Sequence, residues 1–298
     1  MWGRSIVTGS ASKSARHSKQ NAHSARDTGG RLAKVLAVLV ISVTTNLGSS
    51  AVDPSRELAT KIVTQIQRAD YEGDRIALKR FYGELTPFVE NKELASRVQY
   101  WRGFALWRRA INGFNDPLDP KELAEDLKQA LDEFNDAAKE DPDFVEAKVG
   151  ALSCVSLLAF SVNEKDPVRI QELIAQGRQL RKDAEAAAPE NPRLLWVMGP
   201  NVWYAPPERG GSQAKAMEMY EKGLETIKKS KNVTDPLEPS WGEAELLTAL
   251  AWSNLSRTKP DLNAAERYAR AALEIVPYWH YVRDILMLQI QDAKAKHK

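Results

Sequence analysis

Tyr100, Phe104, Trp107 and Arg108 are spaced so that a helix would bring them onto one face, one to two turns apart. Trp196, Trp203 and Tyr204 repeat that seven-and-one spacing further on, Arg209 follows in a proline-glycine loop, and Trp252 stands in a later apolar run. Such residues recognise more readily than they catalyse. Indole and phenol rings cover large area and keep one polar tip, and a guanidinium fork matches a carboxylate. With Arg109 next to Arg108, the first cluster suits a carboxylate or a peptide C-terminus, unless neighbouring Asp or Glu residues already satisfy the charge. The aromatics also suit a second role, filling the core between helices, and the sequence leaves both open.

Other chemistry is sparse. Beyond residue 51 the only histidines are His280 and His297, and the chain has a single cysteine, Cys154. One cysteine forms no intrachain disulfide and no thiolate cluster, and its setting Ala151–Phe160 is an apolar helical run that reads as core. No His-Glu-His set, strand-borne glycine-rich phosphate loop or nucleophile elbow is present, so the sequence predicts no enzyme, no cofactor and no metal site. Gly210-Gly211 at a helix start could present free amides to an anion, but such a pair more often only permits a turn. Asp132 and Glu133 read as solvated, outward-facing carboxylates.

The elements that position these residues read as helices throughout. Breaks fall at Gly73-Asp74, Pro87, Asn112–Pro120, Asp141-Pro142, Asp166-Pro167, Pro189–Pro192, Pro206–Gly211, Lys228–Ser240 and Pro277. They delimit about eleven helices and leave no sustained period-two alternation. The expected fold class is all-α. Ser212 is a ready cap for the helix carrying Ala216, Tyr220, Leu224 and Ile227.

One pattern recurs within those helices: Ala77–Phe81, Ala130–Phe134–Ala137–Pro142, Ala216–Tyr220–Gly223 and Ala265–Ala269–Ala272–Pro277. A small residue allows a close helix approach, an aromatic one turn later fills the gap to the next hairpin, and a second small residue admits the following helix. This resembles the second helix of the tetratricopeptide repeat, whose pattern is W-x2-L-G-x2-Y…A-x3-F…P. The first-helix half departs from it. Around Gly103 and Gly199, Gln99 and Leu195 replace the tryptophan, and Leu106 and Val202 replace the tyrosine. The unit before Pro189 has Gly177, Arg181 and Ala184, and the positions Ala137, Ala184, Gly223 and Ala272 lie 47, 39 and 49 residues apart, which implies lengthened turns.

The resemblance covers roughly residues 56–277 and implies a right-handed superhelix of stacked antiparallel hairpins. In such a superhelix the first helices line a concave groove. It therefore implies that Tyr100, Phe104, Trp107, Arg108, Trp196, Trp203, Tyr204, Arg209 and Trp252 line a groove for a protein or peptide partner. The stretch Pro206–Leu224 is also similar to exported bacterial repeat proteins, including periplasmic partners of tripartite ATP-independent solute transporters. That similarity implies an alternative, a small-molecule-binding accessory protein of a transporter.

Residues 278–296 carry two apolar stripes, Trp279-Val282-Leu286-Ile290 and Tyr278-Tyr281-Ile285-Leu288. They are expected to cap the last repeat, or to join a homodimer if one stripe stays exposed. Residues 1–51 have a secretory layout, with basic residues to Lys34, an apolar run Val35–Val43 and small residues at Ser49-Ser50-Ala51. Export to the periplasm with cleavage after Ala51 is expected, leaving residues 52–298 as one helical domain. An inner-membrane anchor through residues 35–47 is the alternative. Of 42 basic and 40 acidic residues, seven and one lie before Val52, so the remaining body holds 35 against 39. A mildly acidic body offers no clustered basic face for nucleic acid.

Overall fold

Aspartate or asparagine followed by proline starts four of the helices. Asp53, Asp119, Asp166 and Asn191 each accept a backbone N–H two residues on, at 2.9, 3.0, 2.9 and 2.9 Å, with proline at the first helical position. Asp74, Ser212 and Asp261 cap three more through an N–H three residues on. The computed structural model describes residues 53–114, 116, 118–160, 166–230 and 233–296, and every regular element among them is helical. The leader expected over residues 1–51, with its alternative anchor at 35–47, lies outside the described residues, as does His297. No described helix is long and apolar enough to cross a membrane.

The elements are α1 (Pro54–Glu72), α2 (Arg75–Glu84), α3 (Ala95–Gly113), α4 (Pro120–Glu140), α5 (Val145–Phe160), α6 (Pro167–Ala187), α7 (Pro192–Tyr204), α8 (Gln213–Lys229), α9 (Glu243–Ser256), α10 (Leu262–Ile275) and α11 (Met287–Lys296). Short 3-10 turns lie at Thr86–Phe88 and Pro207–Arg209. The last helix differs from its expected span. It opens with a π-helical turn, Tyr281–Leu286, before α11. Trp279, Val282, Leu286 and Ile290 are buried in one cluster with residues of α9 and α10, while Tyr278 and Leu288 of the other stripe stay exposed.

Apart from α6 and α7, each helix packs closely on its neighbours in sequence, and the odd-numbered helices also touch one another in series, α1 with α3, α3 with α5, α5 with α7 and α7 with α9. Among the described residues, no two even-numbered helices share contacts of that extent. Helices α1, α3, α5, α7 and α9 thus form one continuous layer, termed the inner layer, with the even helices packed beside it.

The repeated small–aromatic pattern makes this layering physical. Phe134 of α4 wedges between Gly103 of α3 and Gly150 of α5. A β-carbon added at those glycines would stand 3.0 and 2.5 Å from its ring. Tyr220 of α8 lies so close over Gly199 of α7 that a β-carbon there would meet the ring at 2.1 Å. Leu246 of α9 settles against Gly223 of α8 in the same manner. Ala77, Ala130, Ala137, Ala216, Ala265, Ala269 and Ala272 are all buried. Interiors packed to crystal density leave no slack at such contacts.

Candidate functional site

The inner face of α3 is lined as expected, but it is not open. Tyr100, Phe104 and Trp107 are at most 1% exposed, because residues 233–242 between α8 and α9 cross the inner layer and cover them. This segment is shaped by its own sequence. Asp235 accepts the amide of Leu237 on Oδ1 and that of Glu238 on its carbonyl, both at 3.0 Å, and Pro236 holds the second turn position. The turn drives Leu237 into the core at 1% exposure, and Trp241 follows at 4%.

Side chains of the inner helices hold the segment by its main chain. Trp101 Nε1 donates to the Leu237 carbonyl at 2.7 Å and Arg193 Nη2 to the Pro239 carbonyl at 2.5 Å. Trp241 Nε1 donates to the Tyr100 hydroxyl at 2.8 Å. The Trp241 ring sits 5.6 Å from both Trp107 and Trp196 and 5.8 Å from Phe104, with the Arg193 guanidinium 5.3 Å from its centroid. At the rim, Arg56 pairs with Asp235 at 2.5 Å and Arg97 with Glu238 at 2.6 Å. The expectation of a vacant groove at Tyr100, Phe104 and Trp107 is therefore corrected. A face of that apolar area is costly in water, and the chain covers it itself.

The arginines are likewise spent internally. Arg108, 3% exposed, donates from Nε to Asp70 Oδ1 at 2.7 Å, and Asn112 donates to the same oxygen at 3.1 Å. Asp70 Oδ2 is buried without a hydrogen-bond partner. Glu245 at the start of α9 accepts from the Tyr71 hydroxyl and the Gly242 amide, both at 2.8 Å, and its charge also acts on Arg108. Burial pushes the Asp70 and Glu245 carboxyls upward, with Arg108 opposing, and pushes the Tyr71 phenol well above its ordinary value. This cluster ties α1, α3 and α9 together. Arg109 pairs with Asp126 and, at 2.6 Å, with Glu122. Neither arginine is left for a carboxylate ligand. Glu133, expected to be solvated, instead receives Arg102 at 2.7 Å beneath the surface.

No protein-family model and no curated protein matches the chain.

At the other end of that face the aromatics are accessible. Tyr204, at the end of α7, is 63% exposed. Its ring lies 6.1 Å from the half-buried Trp252 of α9, which stacks at 5.1 Å on the buried Trp203. The exposed Arg209 stands on the adjoining loop. Gly210, at φ 84°, and Gly211 build that loop. A β-carbon at Gly211 would fall 1.7 Å from the Ala205 carbonyl oxygen, so only glycine fits. Their amides already donate to Pro207 and Pro206, at 2.9 and 3.1 Å, so the pair makes a turn rather than an anion cradle. Of the nine predicted groove residues, Tyr204, Arg209, Trp252 and the half-buried Trp196 keep exposed surface, and Trp196 spends its contacts on Trp107 and Trp241. Cys154 is buried and its thiol is pushed well above the ordinary range, as befits a core residue.

The segment itself is not evident from the sequence, where Lys228–Ser240 reads as a break between helices. A leucine and a tryptophan spaced four apart in a proline-bearing loop were the available signal. Asp70 was missed as well, although it interrupts the apolar stripe Ile62-Val63-Ile66-Ala69 of α1.

Proposed function

We propose that this chain is a non-catalytic scaffold that binds a protein segment on the inner face of a right-handed, tetratricopeptide-like superhelix. We take it to be exported to the periplasm, with residues 1–51 as its signal peptide. One observation carries the reading. The inner face already grips an irregular stretch of polypeptide by its carbonyls, with Trp101 and Arg193 as donors and aromatic walls for its side chains. Trp, Tyr and Arg dominate such surfaces because they bury large area and keep a polar handle. At the open end, Tyr204, Trp252 and Arg209 continue the same chemistry to solvent.

The test is a photo-crosslinking residue placed at Tyr204 in one protein and at Glu221, on the exposed outer side of α8, in another. Each is expressed in its own cell envelope. A discrete protein adduct at position 204 and none at 221 is the expected result. Absence of any adduct at 204, with a small molecule retained in native mass spectrometry, would replace the scaffold by a transporter-linked carrier.

A further inference from the structure

We infer that residues 233–242 are an exchangeable ligand carried in cis, and that they report the chemistry of the partner. The partner segment carries a leucine and an aromatic residue four positions apart, with carboxylates two before and one after the leucine. This rests on the scaffold reading above and specifies its ligand.

Four features set the segment apart from ordinary core. First, it adds no helix to either layer, and its turn over Asp235–Glu238 is closed by Asp235 within the segment itself. Second, the inner face holds it through its carbonyls, by Trp101 and Arg193, a mode indifferent to the identity of the residues gripped. Third, its side-chain contacts with the face are two inserted residues, Leu237 and Trp241, the carboxylates at the rim, and one hydrogen bond that the Ser240 hydroxyl donates to Gln67 at 3.2 Å. The rim pairs are partly open to water, Arg56 and Asp235 being 38% and 36% exposed and Arg97 and Glu238 23% and 35%.

Fourth, release strands no rim or core arginine. Arg97 also holds Asp141 at 2.7 Å, Arg193 also holds Glu146 at 3.3 Å, and Arg56 can turn to solvent. A buried charge that loses its only partner is heavily penalised. For the arginines that penalty is absent, because the frame keeps a second carboxylate for each of the two deeper ones, and Glu245, which gives up the Gly242 amide if that residue moves, keeps the Tyr71 hydroxyl and the charge of Arg108. Burial of Leu237 and Trp241 still opposes opening, so exchange requires an incoming segment that replaces both side chains. A leucine–aromatic pair flanked by acids meets that requirement, and simple opening does not.

The test uses the full chain with Leu237→Ser and Trp241→Ala, which vacates the two inserted positions, and a fluorescein-labelled peptide of residues 233–242. Anisotropy is expected to show saturable binding, at least about tenfold tighter than for a peptide bearing the same two substitutions. A helical double variant that binds neither peptide up to about 1 mM overturns the inference.

If the double variant does not fold, indole hydrogen exchange in the unaltered chain decides. The Trp101 and Trp241 Nε1 hydrogens are expected to exchange at least about 100-fold faster than the α3 amides beneath them, through local opening. Exchange only with global unfolding overturns the proposal. The two readings fail separately. Trans binding without a crosslink at position 204 discards the external partner and keeps the internal ligand. A crosslink without trans binding does the reverse.

Discussion

The two ends of the inner face have the same kind of residues and opposite fates. Around α3, Tyr100, Phe104 and Trp107 are at most 1% exposed, whereas at the ends of α7 and α9, Tyr204 and Trp252 keep surface in water. Composition does not separate them. What separates them is a covering loop more than 130 residues away in sequence from the rings it covers, as in the contact of Leu237 with Trp101. A binding face is defined as much by what the chain lays over it as by what lines it.

The covered end should dominate stability. Trp241→Ala is expected to cost about 3–5 kcal/mol, since it removes a buried indole packed among three rings, Phe104, Trp107 and Trp196, and leaves a cavity. Arg108→Ala should cost a similar amount, about 3–5 kcal/mol, because Asp70 and Glu245 would share a buried site with no cation beside them. Urea denaturation reads both. A loss below about 1 kcal/mol for Trp241→Ala would mean that the segment rests on the face without supporting it. Gly199→Ala comes next, at about 1–3 kcal/mol, because Tyr220 must move off α7 to admit one methyl.

The buried carboxylates also give this end a pH signature. The folded chain holds protons on Asp70 and Glu245 to higher pH than the unfolded chain does. Their favourable contribution is therefore fully present below the unfolded carboxylate range near pH 4 and is lost as pH rises through the folded values. Asp70→Asn removes one such group. Whatever its offset, its stability relative to the parent should shift in its favour as pH rises from 4 to 8. Parallel pH curves for the two proteins would show that burial does not govern the Asp70 carboxyl.

Most of the frame was legible in the sequence because it is written in local spacing. Alanine, aromatic and glycine positions three and four apart dictated which faces met, and Asp-Pro and Asn-Pro pairs dictated where helices began. The layered contacts of Phe134 with Gly103 and Gly150 follow from that code. The site was half legible. Residue types picked out the inner face, but Leu237 and Trp241 lie in a loop without periodicity. Their target is fixed only once nine helices have stacked. Asp70 and Glu245 were illegible for the same reason, since two acids 175 residues apart reveal nothing about a shared arginine until α1, α3 and α9 meet.

The smallest structural effect is expected where the functional effect is largest. Tyr204→Ala removes a ring that is 63% exposed and meets Trp252 at a tilt, with ring centroids 6.1 Å apart. Its unfolding free energy should change by less than about 0.5 kcal/mol, as for other surface positions. Capture of the partner segment should nevertheless weaken by at least about tenfold, since exposed aromatic anchors dominate such contacts. A variant that binds normally would move the site away from the open end and leave the covered end, with its exchangeable segment, as the place where a partner enters. A variant that loses both stability and binding would show that Tyr204 belongs to the frame, so that the contrast between the two ends is one of degree.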